Sequence, residues 1–165
     1  MSDEPLPNRR QQRVAADLIE RLVYNSELHS FEGRVGWDGV RLRVSIDATG
    51  RRNRPLMPAA GQATSKDIVA RPTYWRSQLA EAIKPLIEAT NSSRNDRPLS
   101  DQLASPPAEP DLDALWSEAQ LAVDVNRQGE VVFWFGECGA FDGRGAWVAM
   151  TKDGSPVLAR IHRQA

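Results

Sequence analysis

The sequence predicts an α+β fold, in which helices pack on one face of an antiparallel β-sheet. Two stretches, Phe31–Asp47 and Gln120–His162, carry the alternation of apolar and polar residues that is typical of strands. Helical periodicity precedes the first stretch and separates it from the second, an arrangement that favours α+β. We therefore expect an N-terminal hairpin plus a C-terminal four-stranded meander, with two main amphipathic helices packed on the sheet.

Composition indicates an ordinary soluble chain: of 165 residues, 41% are hydrophobic and 26% are charged. We expect a flexible N-terminus at 1–8, and a single α+β domain at 9–165 with a Pro/Ser-rich connection at 91–110. The net charge of -1 predicts no general attraction to nucleic acid or membrane. The single cysteine, Cys138, and the lack of a signal-like apolar stretch predict a cytoplasmic protein.

The first half of the chain begins with an amphipathic helix, predicted over Arg9–Leu28. Residues Val40–Asp47 then alternate strictly, and Asp38-Gly39 before them suits a tight two-residue turn, so this region predicts a β-hairpin. The stretch from Asp47 to Arg71 is interpreted as a polar, mobile loop carrying Arg51, Arg52 and Arg54. Phosphate binding by those arginines is the alternative, but no glycine-rich phosphate cradle accompanies them.

Further along, Pro72–Ala89 predicts a second amphipathic helix, which Pro85 should kink or restart. After the connection at 91–110, Asp111 is a plausible N-cap for a short helix that ends at Glu118. The meander follows, and its central hairpin carries glycines at its tip. Its strands are predicted at Leu121–Val125, Val131–Phe135, Ala146–Met150 and Val157–Ile161.

Catalytic and metal-binding patterns are weak throughout the chain. Cys138 could pair with His29 or His162 in thiol catalysis, but no recognisable motif surrounds them, which favours an unreactive thiol. Glu137 and Asp142 share the hairpin tip and could act as a carboxylate pair, although exposed turns commonly carry acidic residues. We find no ligand spacing for a metal and no cofactor motif, and we expect neither.

Trp134 is the ambiguous member of the five tryptophans. Alternation in Phe133-Trp134-Phe135 places Trp134 on the face opposite to its two neighbours. That face could be exposed to a partner or covered by a helix. An exposed tryptophan beside acidic residues would be a suitable anchor for a protein interface.

Short motifs at both ends of the chain resemble a group of uncharacterised bacterial domains. They comprise the run from Phe31 to Leu42, a helix carrying Trp75, and a Gly-x-Phe-x-Gly tip at Gly139, Phe141 and Gly143. Cys138 stands where that family usually has Asp, and Arg144 where it usually has His. The resemblance implies an immunity protein: a small, cytosolic, non-enzymatic protein that neutralises a cognate toxin by binding it.

We therefore predict an immunity protein of bacterial competition that binds a toxin through Trp134, Glu137, Asp142 and Arg144. Residues 101–165 hold 5 basic and 10 acidic side chains, an acidic balance that would suit a basic nuclease toxin. No cofactor, membrane or direct nucleic-acid contact is expected. The alternatives are an assembly or adaptor subunit of a phage or secretion system, and, third, a small hydrolase using Glu137 and Asp142.

Overall fold

The centre of the fold is a seven-stranded β-sheet with the strand order β1-β2-β3-β6-β7-β8-β9. The computed structural model describes residues 6–95 and 112–162. Two short strands, β4 and β5, form a separate hairpin. The strands are β1 Val23–Asn25, β2 Ser30–Trp37, β3 Val40–Asp47, β4 Thr49–Arg51, β5 Arg54–Leu56, β6 Leu121–Val125, β7 Val131–Cys138, β8 Arg144–Met150 and β9 Pro156–Ile161.

Helices cover one face of this sheet and enclose the core. They are α1 Arg9–Glu20, α2 Ala59–Ala70, α3 Pro72–Asn95 and α4 Leu112–Glu118. Phe133 lies at the centre of the core, stacked on Trp37 at 5.7 Å between ring centroids and tilted against Trp75 of α3 at 6.1 Å. The α+β class, with its mostly antiparallel sheet and several helices, is thus as predicted. No helix in the described ranges is long and apolar enough to cross a membrane.

The predicted N-terminal hairpin is present, and its turn follows from its sequence. Asp38 and Gly39 both have positive φ, 51° and 79°, as a tight turn of the primed type requires. The helix predicted before it was too long. α1 ends at Glu20, and Val23–Asn25 instead pairs antiparallel with β2 as the edge strand β1. A strand of three residues is too short for its alternation of apolar and polar residues to be distinguished from the helical periodicity that precedes it.

The junction between the two β regions differs from a purely antiparallel layout. β3 pairs with β6 in parallel, and all other neighbouring pairs of the large sheet are antiparallel. A parallel neighbour requires a crossover, which α2, α3 and α4 provide along the chain. The predicted hairpin and meander therefore form one continuous sheet, a relationship that strand periodicity alone does not reveal.

The prediction of a loop over Asp47–Arg71 was wrong. The stretch forms the β4–β5 hairpin and then α2. The buried side of α2 consists of Gly61, Thr64, Ser65 and Ile68. Because three of these four residues are small or polar, the helix has almost no apolar stripe for a periodicity argument to detect.

The second predicted helix is present but longer than expected. α3 passes through Pro85, which is exposed, and continues to Asn95, so residues 91–95 of the predicted connection are helical. The rest of that connection lies outside the described residues, as do Asp111, with its predicted N-cap role, and most of the N-terminal segment at 1–8. α4 confirms the short helix that was predicted before the meander.

The meander is confirmed, and its tip is more regular than predicted. β7 extends beyond Phe135 to Cys138, and a register irregularity between those two residues accommodates Gly136 and Glu137. A 3-10 turn over Gly139–Phe141 then leads through Asp142 and Gly143 into β8. Phe141 is fully buried at this turn, so the tip is anchored to the core.

Candidate functional site: the open face of the sheet

The face of the sheet opposite the helices carries the candidate site, here called the open face. Cross-strand register determines which residues share this face, because partners in a register point to the same side. Arg43 pairs with Ala122, Ala122 with Trp134, and Trp134 with Trp147. These residues form a row across four adjacent strands, flanked by Arg34 on β2 and Arg160 on β9.

The tryptophan row separates two depressions on the open face. Arg43, Ala122 and Trp134 line both of them and form the ridge between them. The larger, with a volume of about 1190 Å³, lies toward the C-terminal ends of β3 and β6. The smaller, about 600 Å³, lies toward the opposite ends of the same strands. A ligand or partner on this face would contact the ridge first and fill the depressions on either side.

The larger depression is acidic. Its carboxylates outnumber its cations by five to two, since only Arg43 and Lys152 oppose them. The carboxylate of Glu32 accepts three hydrogen bonds, which come from the side chains of Asn25, Ser30 and Arg43. The five acidic residues of this acidic depression are Glu32, Asp47, Asp124, Glu130 and Asp153.

Asp124 holds the ridge tryptophan in place. The indole Nε1–H of Trp134 donates to Asp124 Oδ2 at 2.7 Å. Partial desolvation raises the pKa of the Asp124 carboxyl above its usual value, and the nearby charges of Asp47 and Glu32 add to this effect. The hydrogen bond from Trp134 and the charge of Arg43 act in the opposite direction and lower that pKa. On balance the pKa is raised, so the ionised form of Asp124 is less favourable in the free protein than in water, and a nearby cation would stabilise it.

Trp134 and Trp147 form an aromatic pair at the centre of the face. Their ring centroids are 6.4 Å apart, with an angle of 48° between the planes. Trp134 is 38% exposed, whereas Phe133 and Phe135 beside it are buried in the core. The predicted alternation is therefore confirmed, and Trp134 faces away from the core. A large aromatic surface fixed by a hydrogen bond loses little side-chain entropy when a partner covers it.

The smaller depression is basic. The side chains of Arg34 and Arg43 lie directly opposite each other on β2 and β3, a placement of like charges that disfavours folding unless an anion compensates. Arg43 bonds to Glu32 at 3.3 Å, but Arg34 has no hydrogen-bonding or ionic partner among residues 6–95 and 112–162. The charged and titratable residues of this basic depression are Arg34, Arg41, Arg43, Glu137, Arg144 and His162.

Three of the four predicted contact residues lie together in the basic depression. The depression is lined by Trp134, Glu137 and Arg144. The Nε–H of Arg144 donates a hydrogen bond to the carbonyl oxygen of Phe141, which restrains the Arg144 side chain. Asp142 lines neither depression, because it ends the 3-10 turn with φ 55° and ψ 43° at the tip. Glu137 and Asp142 therefore share neither of these two depressions.

The thiol and the two histidines lie in different environments. Cys138 is buried in the core, where desolvation raises the pKa of its thiol and Glu118 raises it further. Hydrogen bonds from the backbone at Ala140 and Phe141 lower it in part. His29 is bonded to the hydroxyl of Tyr24 at 2.6 Å, and His162 lines the basic depression. The described part of the chain holds no cluster of three or more His, Cys, Asp or Glu residues suited to a metal.

Sequence reasoning missed most of the charged residues on this face. Arg41, Arg43 and Asp47 were visible as the polar partners in an alternating strand, but the strand pairing that joins them to Asp124 and Trp134 was not. The net charge of -1 is a sum over the whole chain, so it reveals neither the acidic nor the basic depression. Alternation within β3 was the available signal, since its polar residues change from Arg to Asp along the strand.

Comparison of the chain with protein-family models, with curated proteins and with solved structures yields no match. The resemblance to immunity-like bacterial domains therefore stays a prediction.

Proposed function

We propose that this chain is a cytoplasmic binding protein that occludes a partner protein with the open face of its sheet. The observation that carries the proposal is the position of Trp134, exposed at the centre of a face that none of the described helices covers, and oriented by Asp124. Tryptophans in such positions are frequent binding hot spots, because their burial removes a large apolar area from water. Acidic and basic depressions on either side supply the polar rim.

The charge distribution specifies the chemistry of the partner surface. A basic segment of the partner would lie against the acidic depression, where it would relieve the unfavourable ionisation of Asp124. An acidic segment would lie against Arg34 and Arg41 in the basic depression. Opposite charges at the two ends fix the orientation of the partner and exclude a reversed one, because like charges would then meet.

Within this class, we propose the role of an immunity protein that neutralises a cognate bacterial toxin. The proposal rests on the sequence resemblance and on an exposed tryptophan flanked by an acidic and a basic depression. A basic nuclease would fit the acidic depression, as expected from the acidic C-terminal part, with Trp134 at the centre of the contact. Glu137 and Arg144 contribute at the basic end, while Asp142 takes no direct part in the open-face contact.

Co-expression with the toxin encoded by the adjoining gene tests this proposal. The variants are Trp134→Ala at the ridge, Asp47→Lys with Glu130→Lys in the acidic depression, and Arg34→Glu with Arg41→Glu in the basic one. Trp134→Ala should weaken affinity about 30-fold or more, the effect of a hot spot. The charge variants should mainly slow association, because electrostatic steering acts on the encounter. Binding kinetics and survival of toxin-expressing cells provide the two readouts.

Matched control substitutions lie on the helical side of the molecule. Glu81→Lys with Lys84→Glu exchanges two exposed charges of α3 and should leave affinity and protection unchanged. Wild-type affinity in all three open-face variants would remove this face from the interface. If the adjoining gene encodes no toxin, or if the wild-type protein neither binds that toxin nor protects the cells that express it, the immunity role is wrong.

A further inference from the structure

The β4–β5 hairpin is a second charged feature, separate from the large sheet that carries the open face. β4 and β5 pair only with each other and lie outside the large sheet. All residues from Gly50 to Arg54 are exposed, including three arginines, Arg51, Arg52 and Arg54. This segment, here called the arginine hairpin, is thus an ordered two-stranded ribbon where a mobile loop was expected from the sequence.

The arginines are placed against each other without any internal counter-charge. Arg51 and Arg54 are directly opposite in the hairpin register, so their side chains lie on the same face of the ribbon. None of the three guanidinium groups forms a hydrogen bond or ion pair with the described part of the chain. Like charges in this arrangement repel each other, and a bound external anion would reduce that repulsion.

A fourth arginine reaches the base of the ribbon from a distant part of the chain. The Nε–H of Arg127, in the turn between β6 and β7, donates at 3.1 Å to the carbonyl oxygen of Ala48. Ala48 is buried and leads directly into β4. The fold therefore assembles cations from two turns that are far apart in sequence, and it anchors the arginine hairpin to the body of the protein.

We propose that the arginine hairpin binds the phosphate backbone of duplex DNA without reading its sequence. Several guanidinium groups along a narrow ribbon match a ligand with regularly repeated phosphates better than they match a single carboxylate. A two-stranded β-ribbon also has the width that the major groove of DNA admits. The net charge of -1 does not exclude this contact, because screening limits the attraction to the charges within about 10 Å of the phosphates.

Fluorescence anisotropy with a labelled DNA duplex of mixed sequence tests the proposal on the full chain. Wild-type protein should bind more weakly as salt increases, with a slope of log K against log salt of about -3, as expected for three to four phosphate contacts. Arg51→Ala with Arg52→Ala and Arg54→Ala should remove most of that slope and weaken binding at low salt at least about tenfold. Replacement of the same three residues by lysine should retain binding, since the charges remain.

Two control variants change the net charge by the same amount elsewhere. One replaces Arg9, Arg10 and Arg13 of α1 with alanine, and the other replaces Arg34, Arg41 and Arg160 of the open face; all six side chains are exposed. Both should bind DNA as the wild type does, whereas the open-face control should lose the partner protein. The proposal is overturned if wild type does not bind the duplex, if a control loses DNA binding as fully as the hairpin variant, or if the protein binds phosphatidylserine vesicles instead of DNA.

Discussion

Trp134 and Asp124, on neighbouring antiparallel strands of the open face, are joined by a 2.7 Å hydrogen bond from the indole Nε1–H to the carboxylate. The bond restrains an aromatic ring that is 38% exposed, and the carboxylate that accepts it is partly desolvated by burial. Restraint of the ring and desolvation of the carboxylate both cost free energy in the free protein. Both features favour binding, because a restrained aromatic ring loses little entropy when a partner covers it, and the carboxylate gains a favourable interaction with a cation of the partner.

Replacement of Asp124 by asparagine should stabilise the protein at neutral pH. The pKa of Asp124 is higher in the folded protein than in the unfolded chain, so the folded state binds more protons between the two pKa values. Stability is therefore lost as the pH rises through the folded pKa, and the ionised carboxylate remains unfavourable above it. Asparagine removes that charge, and its side-chain oxygen can still accept the bond from Trp134.

Thermal unfolding as a function of pH measures this effect. Asp124→Asn should have a higher Tm than wild type at pH 7, and the difference should shrink as the pH falls through the raised folded pKa and reach its minimum below the ordinary aspartate value of 3.8, where both side chains are uncharged. Trp134→Phe serves as the comparison. It removes the donor that lowers the pKa of Asp124, so that pKa should rise further in a carboxyl NMR titration. A lower Tm for Asp124→Asn at pH 7 would contradict the argument.

The parts of the fold that sequence predicted are those with a short-range physical signal. The β2–β3 hairpin was predictable because strict alternation over Val40–Asp47 follows a turn whose residues tolerate positive φ. α2 was missed because its buried face is small and polar, so tertiary packing determines the helix and the apolar pattern does not. The parallel pairing of β3 with β6 depends on residues about eighty positions apart, and nothing local encodes it.

In the candidate site, too, only the features with a short-range signal in the sequence were predicted. Trp134 could be assigned to the face opposite Phe133 from alternation alone, and Glu137 and Arg144 were close to it in sequence. Its bond to Asp124 could not be inferred, because one residue of difference in register would move Asp124 to the other face. Asp142 was included by proximity in sequence, yet the 3-10 turn separates it from the other three residues.

Gly129 should be intolerant of any side chain. Its φ is 84°, and an added Cβ would lie 2.6 Å from Thr64 Oγ1 and 3.0 Å from the carbonyl oxygen of Ala60, both on α2. Gly129→Ala should therefore lower the free energy of unfolding by more than about 1 kcal/mol, through backbone strain and through separation of α2 from the β6–β7 turn. Urea denaturation provides the measurement. Gly36→Ala is the control, because its φ is not positive and nothing lies within 4 Å of an added Cβ, so its stability should stay near wild type.

Phe133 and Trp134 are adjacent in β7 and should separate stability from binding. Phe133 is fully buried between Trp37 and Trp75, so Phe133→Ala should leave a cavity and reduce the free energy of unfolding by about 3–5 kcal/mol. Trp134 is partly exposed on the sheet face opposite the described helices, so Trp134→Ala should cost clearly less stability while it abolishes most of the partner affinity.

Urea denaturation and partner-binding kinetics, both measured on Phe133→Ala and on Trp134→Ala, test whether stability and binding separate in this way. Under conditions where Phe133→Ala is still folded, its open face is intact and its association rate constant should stay close to that of wild type. Trp134→Ala should show the reverse pattern, with a nearly normal unfolding midpoint and a greatly increased dissociation rate. Equal losses of stability in the two variants would mean that Trp134 contributes to packing as Phe133 does. The open face would then have no aromatic anchor, because Trp147, its neighbour in the row, is less exposed than Trp134.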